Sequence, residues 1–188
     1  MVDKINFKGH LTIQALDKAG NVIDQWADNN LIMETARINM ANIIAGMHSG
    51  NYINKLVLGT QGHNGDYLIP KTDTEGFVNT RTQLFSQEDS SYFYTVKFEN
   101  TNGINGNLTL VQEDDTTTGE SSSVNCVVNG TDITYTFDIP GLNANGVGTA
   151  VFTEAALYAE DEIFSMKCFK GKIKESSVAL RIIWKIMF

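Results

Sequence analysis

Apolar and polar positions alternate along much of this chain. Leu11, Ile13 and Ala15 recur at every second residue, Lys18-Ala-Gly-Asn supplies turn-forming residues, and Val22 and Ile23 follow. Successive side chains of a strand point to opposite faces, so residues 10–25 read as a hairpin. The period then changes. Ala36, Met40, Ile43, Ile44 and Met47 fall at helical spacing, which predicts one substantial helix over residues 31–46 with this stripe packed on the sheet. Asn29 and Asn30 are candidate N-caps, Glu34 complements the positive end of the helix dipole, and Gly46 suits the left-handed residue that closes a helix.

Beyond the helix the strand signal returns. Residues 53–60 form a short apolar run, and Gln61-Gly-His-Asn-Gly-Asp66 suits a tight exposed loop, with residues 71–76 continuing in the same polar vein. Residues 92–98 alternate with aromatics at Tyr92 and Tyr94 on one side and Phe93 on the other, which predicts a strand covered on both faces. Residues 99–123 are mostly polar around Leu108, Leu110 and Val111, and read as a mobile surface loop inserted into the domain. Five strands are expected over 124–128, 132–139, 150–158, 162–169 and 178–188, with Asn129-Gly130 as a hairpin turn. The expectation is a mainly β fold: an antiparallel β-sandwich or open barrel with one α-helix packed on it, in a single domain over residues 1–188 with the polar insertion around 99–123.

Composition narrows the function. The 188 residues carry 14 Lys plus Arg against 22 Asp plus Glu, a net charge of −8, so a nucleic-acid backbone is repelled unless the basic residues cluster. Hydrophobic residues at 42% and charged residues at 19% suit a folded chain. Cys126 and Cys168 fall within expected strands and read as buried structural thiols. The first residues lack the pattern of a secretory signal and no apolar run is long enough to span a membrane, so no membrane partner is expected. The two N-x-[ST] matches at Asn107 and Asn129 are read as chance.

The residues give little support for catalysis. His10, His48 and His63 lie far apart without the one-turn pairing of a zinc site, so each reads as a surface or turn histidine. His63 and Asp66 in the glycine-flanked loop are the sharpest metal candidates, but turn-forming residues explain them as well. Gly59-Thr-Gln-Gly62 lacks the Lys and Ser/Thr of a phosphate loop, and Asp114-Asp115 lacks the spaced ligands of a calcium loop. No enzyme activity and no cofactor are expected. Tyr92, Phe93 and Tyr94 are considered as a sugar-stacking platform and, equally, as packing residues.

Three segments have a familiar order: Phe152-Thr-Glu-Ala-Ala-Leu-Tyr158, then Ile163-Phe-Ser-Met-Lys-Cys-Phe169, then Lys174-Glu-Ser-Ser-Val-Ala-Leu-Arg-Ile-Ile-Trp-Lys-Ile186. This order resembles the C-terminal part of tailed-bacteriophage tail, collar, neck and baseplate proteins, with Ala156 where glycine is common. Residues 30–46 resemble the helix entry of those proteins, and residues 53–62 resemble their glycine-ended strand, with Gln61 inserted. The resemblance covers about half the chain and rests on fold-forming apolar patterns. It implies a virion structural protein, assembled in the host cytoplasm, acting through contacts with other virion proteins and with copies of itself. Met40, Ile44, Tyr92, Tyr94, Phe164, Phe169, Trp184 and Phe188 are the candidate interface residues. The alternative is a receptor-binding or carbohydrate-binding module of a tail or collar fibre, which predicts an exposed groove with Tyr or Trp beside Asn and Asp.

Overall fold

The computed structural model describes residues 7–47, 52–72, 81–101, 105–114 and 120–188. Strands β1 (Lys8–Leu16) and β2 (Val22–Ile32) form the expected hairpin. Its turn is organised by Asp17, whose carboxylate accepts the N–H groups of Ala19 at 2.9 Å and Asn21 at 2.8 Å, while Gly20 takes φ +84°. Helix α1 (Glu34–Ile44) follows, then β3 (Ile53–Gly59), a small hairpin of β4 (His63–Asn64) and β5 (Asp66–Pro70), and the one-turn helix α2 (Phe85–Glu88). The remaining strands are β6 (Phe93–Glu99), β7 (Gly106–Asn107), β8 (Thr109–Glu113), β9 (Ser123–Asn129), β10 (Asp132–Ile139), β11 (Thr149–Ala159), β12 (Glu162–Glu175) and β13 (Ala179–Met187).

Eleven of these strands make one antiparallel sheet in the order β7-β9-β10-β13-β1-β2-β12-β11-β3-β6-β8. The sheet curls over so that its two halves face each other, nearly closing a barrel. Leu11, Ile13, Phe137, Ile182 and Trp184 of one half meet Leu56, Tyr94, Phe98, Phe152 and Leu157 of the other in a single core. Phe98 bridges them directly, its ring 5.5 Å from that of Phe137 and 5.9 Å from that of Tyr135. The mainly β expectation is met.

At the β2–β12 seam the two halves share two ladder rungs, Ser165 with Ile32 and Met166 with Leu31, followed by Met33 N–H donating to Phe164 O at 3.0 Å. Those rungs explain why the helix starts later than its period suggests. The sheet claims Leu31 and Ile32, Asn29 and Asn30 lie in β2, and Met33 occupies the N-cap position without a side-chain cap. The closing end is as expected: Gly46 takes φ +68° and its N–H donates to Ile43 O at 3.0 Å. The stripe expectation is corrected. Ala36 and Asn39 are buried and Met40 is half-buried, whereas Ile43, Ile44 and Met47 are exposed, Ile44 at 81%.

The outer face of β11 and β12 carries a second apolar layer. Ala156, Tyr158, Met166 and Cys168 pack there with Met33, Leu84 and Phe85. It is therefore β11, not β6, that is covered on both faces; on β6 Tyr94, Val96 and Phe98 point inward and Phe93 stays partly exposed. Its run Glu-Ala-Ala-Leu-Tyr-Ala lacks alternation, as a doubly covered strand should.

Part of the segment read as a polar loop is ordered into sheet. β8 pairs with β6 and β7 with β9, and residues 102–104 and 115–119 lie outside the described residues. The Asn105 side chain accepts from Val128 N at 2.7 Å and donates to Val128 O at 3.0 Å, standing in for a missing strand rung on β9. Since Phe98 joins the two halves at full burial, Phe98→Ala is expected to cost about 3–5 kcal/mol. Gln25→Ala, on the exposed strand β2, should stay within roughly 0.5 kcal/mol. Urea denaturation followed by tryptophan fluorescence measures both.

Candidate functional site

The polar groups inside the protein are arranged as anchors. Glu154 sits at a register shift in β11 with no solvent exposure. Its carboxylate accepts the N–H groups of Phe85 at 3.0 Å and Ser86 at 2.8 Å, and the Ser86 hydroxyl at 2.6 Å. Ser86 Oγ in turn accepts the N–H groups of Thr60 at 2.6 Å and Gln61 at 3.0 Å. Burial pushes the Glu154 carboxyl above the usual carboxylate range, and the hydrogen bonds from Ser86 and Phe85 only partly oppose it. The corner at residues 59–62 closes tightly on this group: a Cβ at Gly59 would lie 2.5 Å from Glu154 Oε1, and one at Gly62 would lie 2.5 Å from Thr153 O. Glu154 thus locks the β3 corner to α2.

Two more anchors hold the 140–148 segment. Lys174, fully buried, donates from Nζ to Gly141 O at 2.7 Å and Asn145 Oδ1 at 3.0 Å. Glu113 on β8 accepts from the Tyr94 hydroxyl, from Ser122 and from Asn143 Nδ2, the last at 2.9 Å. Burial alone would raise the Glu113 carboxyl, but the hydrogen bonds from Ser122, Tyr94 and Asn143 bring it below the usual range. Burial, reinforced by Glu113, keeps the Tyr94 phenol protonated well beyond its ordinary range.

The candidate chemical groups do not converge. His63 lies 3.4 Å from Thr153 Oγ1 and packs on the Tyr67 ring at 4.6 Å, while His48 and Asp115 fall outside the described residues. Among the described residues no three His, Cys, Asp or Glu side chains gather as metal ligands. Cys126 and Cys168 are free and buried. The glycine-flanked loop forms the β4–β5 hairpin, with Gly65 at φ +71°.

The interface candidates divide by burial. Tyr94, Phe164, Phe169 and Trp184 are all within the protein's own core, which corrects their reading as contact residues. Alternation separates two faces of a strand without saying which face is outward, and these aromatics take the inner one. Tyr92 is half-buried against Phe152 at 6.1 Å, Met40 is half-buried, and Phe188 packs edge-on to Phe7 at 5.3 Å. Ile44 alone among the eight is mostly exposed. The Tyr92-Phe93-Tyr94 platform is dispersed, because its rings point to opposite faces.

The seam between the two halves of the sheet holds residues that pattern reading passed over. Beyond its two rungs the ladder stops, and side chains take over: Asp28 pairs with Lys167 at 2.8 Å, Trp26 packs on Phe169 at 5.5 Å, and Asp24 pairs with Lys172 at 2.6 Å. A cleft of about 520 Å³ opens beside this seam, lined by Trp26, Asp28, Asn29, Lys71, Lys167 and Lys170 among others. The spacing Asp24-x-Trp26-x-Asp28-x-Asn30 was the available signal, since period two puts all four on one face of a strand. Lysines do cluster, at 167, 170, 172 and 174 on β12, but Lys167 and Lys172 are paired and Lys174 is buried.

Comparison with protein-family models, with curated proteins and with solved structures found no match.

Glu154→Gln replaces an acceptor oxygen with an amide that faces donors, so a loss of about 1–3 kcal/mol is expected. Faster hydrogen exchange confined to residues 59–62 and 84–88 would locate the effect. Glu113 behaves as a carboxylate whose folded pKa is depressed. Its stabilising contribution is present above its unfolded pKa and fades as pH falls through the lower folded value. Acid unfolding curves of the wild type and Glu113→Gln should therefore converge at low pH and separate at neutral pH, the variant being the weaker.

Proposed function

We propose that this chain is a structural subunit of a tailed-bacteriophage virion, placed in the tail, neck, collar or baseplate and acting through contacts between subunits. The observation that carries the reading is the outer face of α1. Ile38, Ala41, Ile44 and Ala45 lie exposed at helical spacing, and Met47 extends the patch. A helix that is apolar on its outer as well as its inner side is suited to being covered on both. The motifs that resemble phage structural proteins also fall on β11, β12 and β13, three framework strands of the sheet. A rigid sheet carrying a helix whose outer apolar residues are exposed among the described residues suits a repeated assembly subunit.

Light scattering over a range of concentrations tests the reading. The wild type is expected to form a defined oligomer, or to remain a monomer that co-sediments with phage particles. The double substitution Ile44→Glu and Met47→Glu should abolish either behaviour while leaving the thermal unfolding of the monomer nearly unchanged, as exposed positions allow. A wild-type monomer that ignores particles would overturn the proposal.

A further inference from the structure

Helix α1 is fixed on its inner side and exposed on its outer side. Thr35 Oγ1 donates to Ile163 O at 2.7 Å, Asn39 Nδ2 donates to Glu162 Oε2 at 3.1 Å, and Ala36 is buried in the core. At roughly 100° per residue the outer side is centred on Ala41, with Ile38 displaced to one flank by about 60° and Ile44 to the other by about the same angle. All three are exposed, Ile38 at 54% and Ile44 at 81%. The apolar pattern therefore reads the same in both directions along the helix, with an isoleucine one turn before a small residue and another one turn after it. The charges are not symmetric. Glu34 and Arg37 occupy the first half of α1, the last turn has no basic residue, and Arg37 makes no ion pair among the described residues.

We infer that the outer face of α1 is covered by the same face of a second copy of this chain, the two helices packing antiparallel about a two-fold axis at Ala41. The inference rests on the assembly reading and names the partner of that surface. In this arrangement Ile38 lies side by side with Ile44 of the second copy, and the two-fold axis repeats the contact in reverse, as an isologous interface requires. The small Ala41 side chain lets the helix axes approach closely where the two copies cross. Arg37 comes level with Ala45 of the second copy, the C-cap of that helix, where the carbonyl ends are negative and α1 itself supplies no cation. A parallel pair sets Arg37 against Arg37 and aligns the two helix dipoles, so charge selects the antiparallel one. The inner hydrogen bonds hold α1 in place before the second copy arrives, which lowers the cost of pairing. A helix of 11 residues is about 16 Å long, which is small for an interface, so a dissociation constant of order micromolar is expected.

Disulfide trapping in the full chain tests the inference. Cys126 and Cys168 are buried, so a cysteine introduced on α1 is the reporter. Ala41→Cys lies on the axis and is expected to give a disulfide-linked dimer under mild oxidation, read on a non-reducing gel. Glu34→Cys is expected to stay monomeric, because residue 34 is displaced from the axis in opposite directions in the two copies, which puts the pair about 21 Å apart. In light scattering, Arg37→Glu should weaken dimerisation by about tenfold or more, since the two-fold axis repeats the loss, while Arg37→Lys stays close to the wild type. Both positions are exposed, so thermal unfolding of the monomer should be unchanged. No cross-link at residue 41, an equal cross-link at residue 34, or an Arg37→Glu dimer as tight as the wild type would each overturn the inference. A monomer that co-sediments with phage particles overturns the pair and leaves the assembly proposal standing, with another protein covering α1. A dimer trapped at residue 41 that never enters particles keeps the pair and removes the placement in a virion.

Discussion

The architecture depends on how an eleven-stranded sheet is bent back on itself at the β2–β12 seam. Two backbone rungs, at Leu31 and Ile32, join β2 to β12, and beyond them the hydrogen-bond ladder is replaced by two Asp–Lys pairs around an aromatic contact. A continuous ladder would hold the strands at their ordinary spacing of about 4.8 Å. Side-chain bridges let the halves separate, which makes room for the core of Phe98, Phe137, Phe152 and Trp184 between them. The same substitution leaves the cleft at the surface. Core and cleft are two consequences of one interrupted seam.

A second constraint acts on the outer face of β11. That strand buries residues on both sides, so the chain must bring α2 and its neighbours over it. Glu154 secures this layer with backbone and hydroxyl donors instead of a counter-charge, at the cost of holding a carboxylate away from water. Lys174 and Glu113 secure the 140–148 segment in similar ways. The three anchors explain why these polar residues are fixed in the structure.

Much of the fold was legible in the sequence. The β1–β2 hairpin, the positions of β9 to β13 and the left-handed Gly46 follow from two-residue alternation and turn residues, which depend on local geometry alone. What was not legible depends on long-range partners. Leu31 and Ile32 have helical neighbours but are drawn into the sheet by residues more than 130 positions away. β8 looked like a polar loop because an edge strand in solvent has little apolar pattern to show. Trp184 and Phe169 read as surface candidates because alternation does not reveal which face is inward, and Trp26 went unread because its strand continues past the apparent end of the hairpin.

The proposal that this nearly closed sheet presents an apolar helix to neighbouring subunits has one direct test. Tailed phage particles can be purified from cells that also express this chain, and their protein content quantified by mass spectrometry. The account expects the chain to be present in a fixed ratio to the other particle proteins, in intact particles washed at high salt. Its absence from such particles, or a ratio that varies from one preparation to the next, would contradict it.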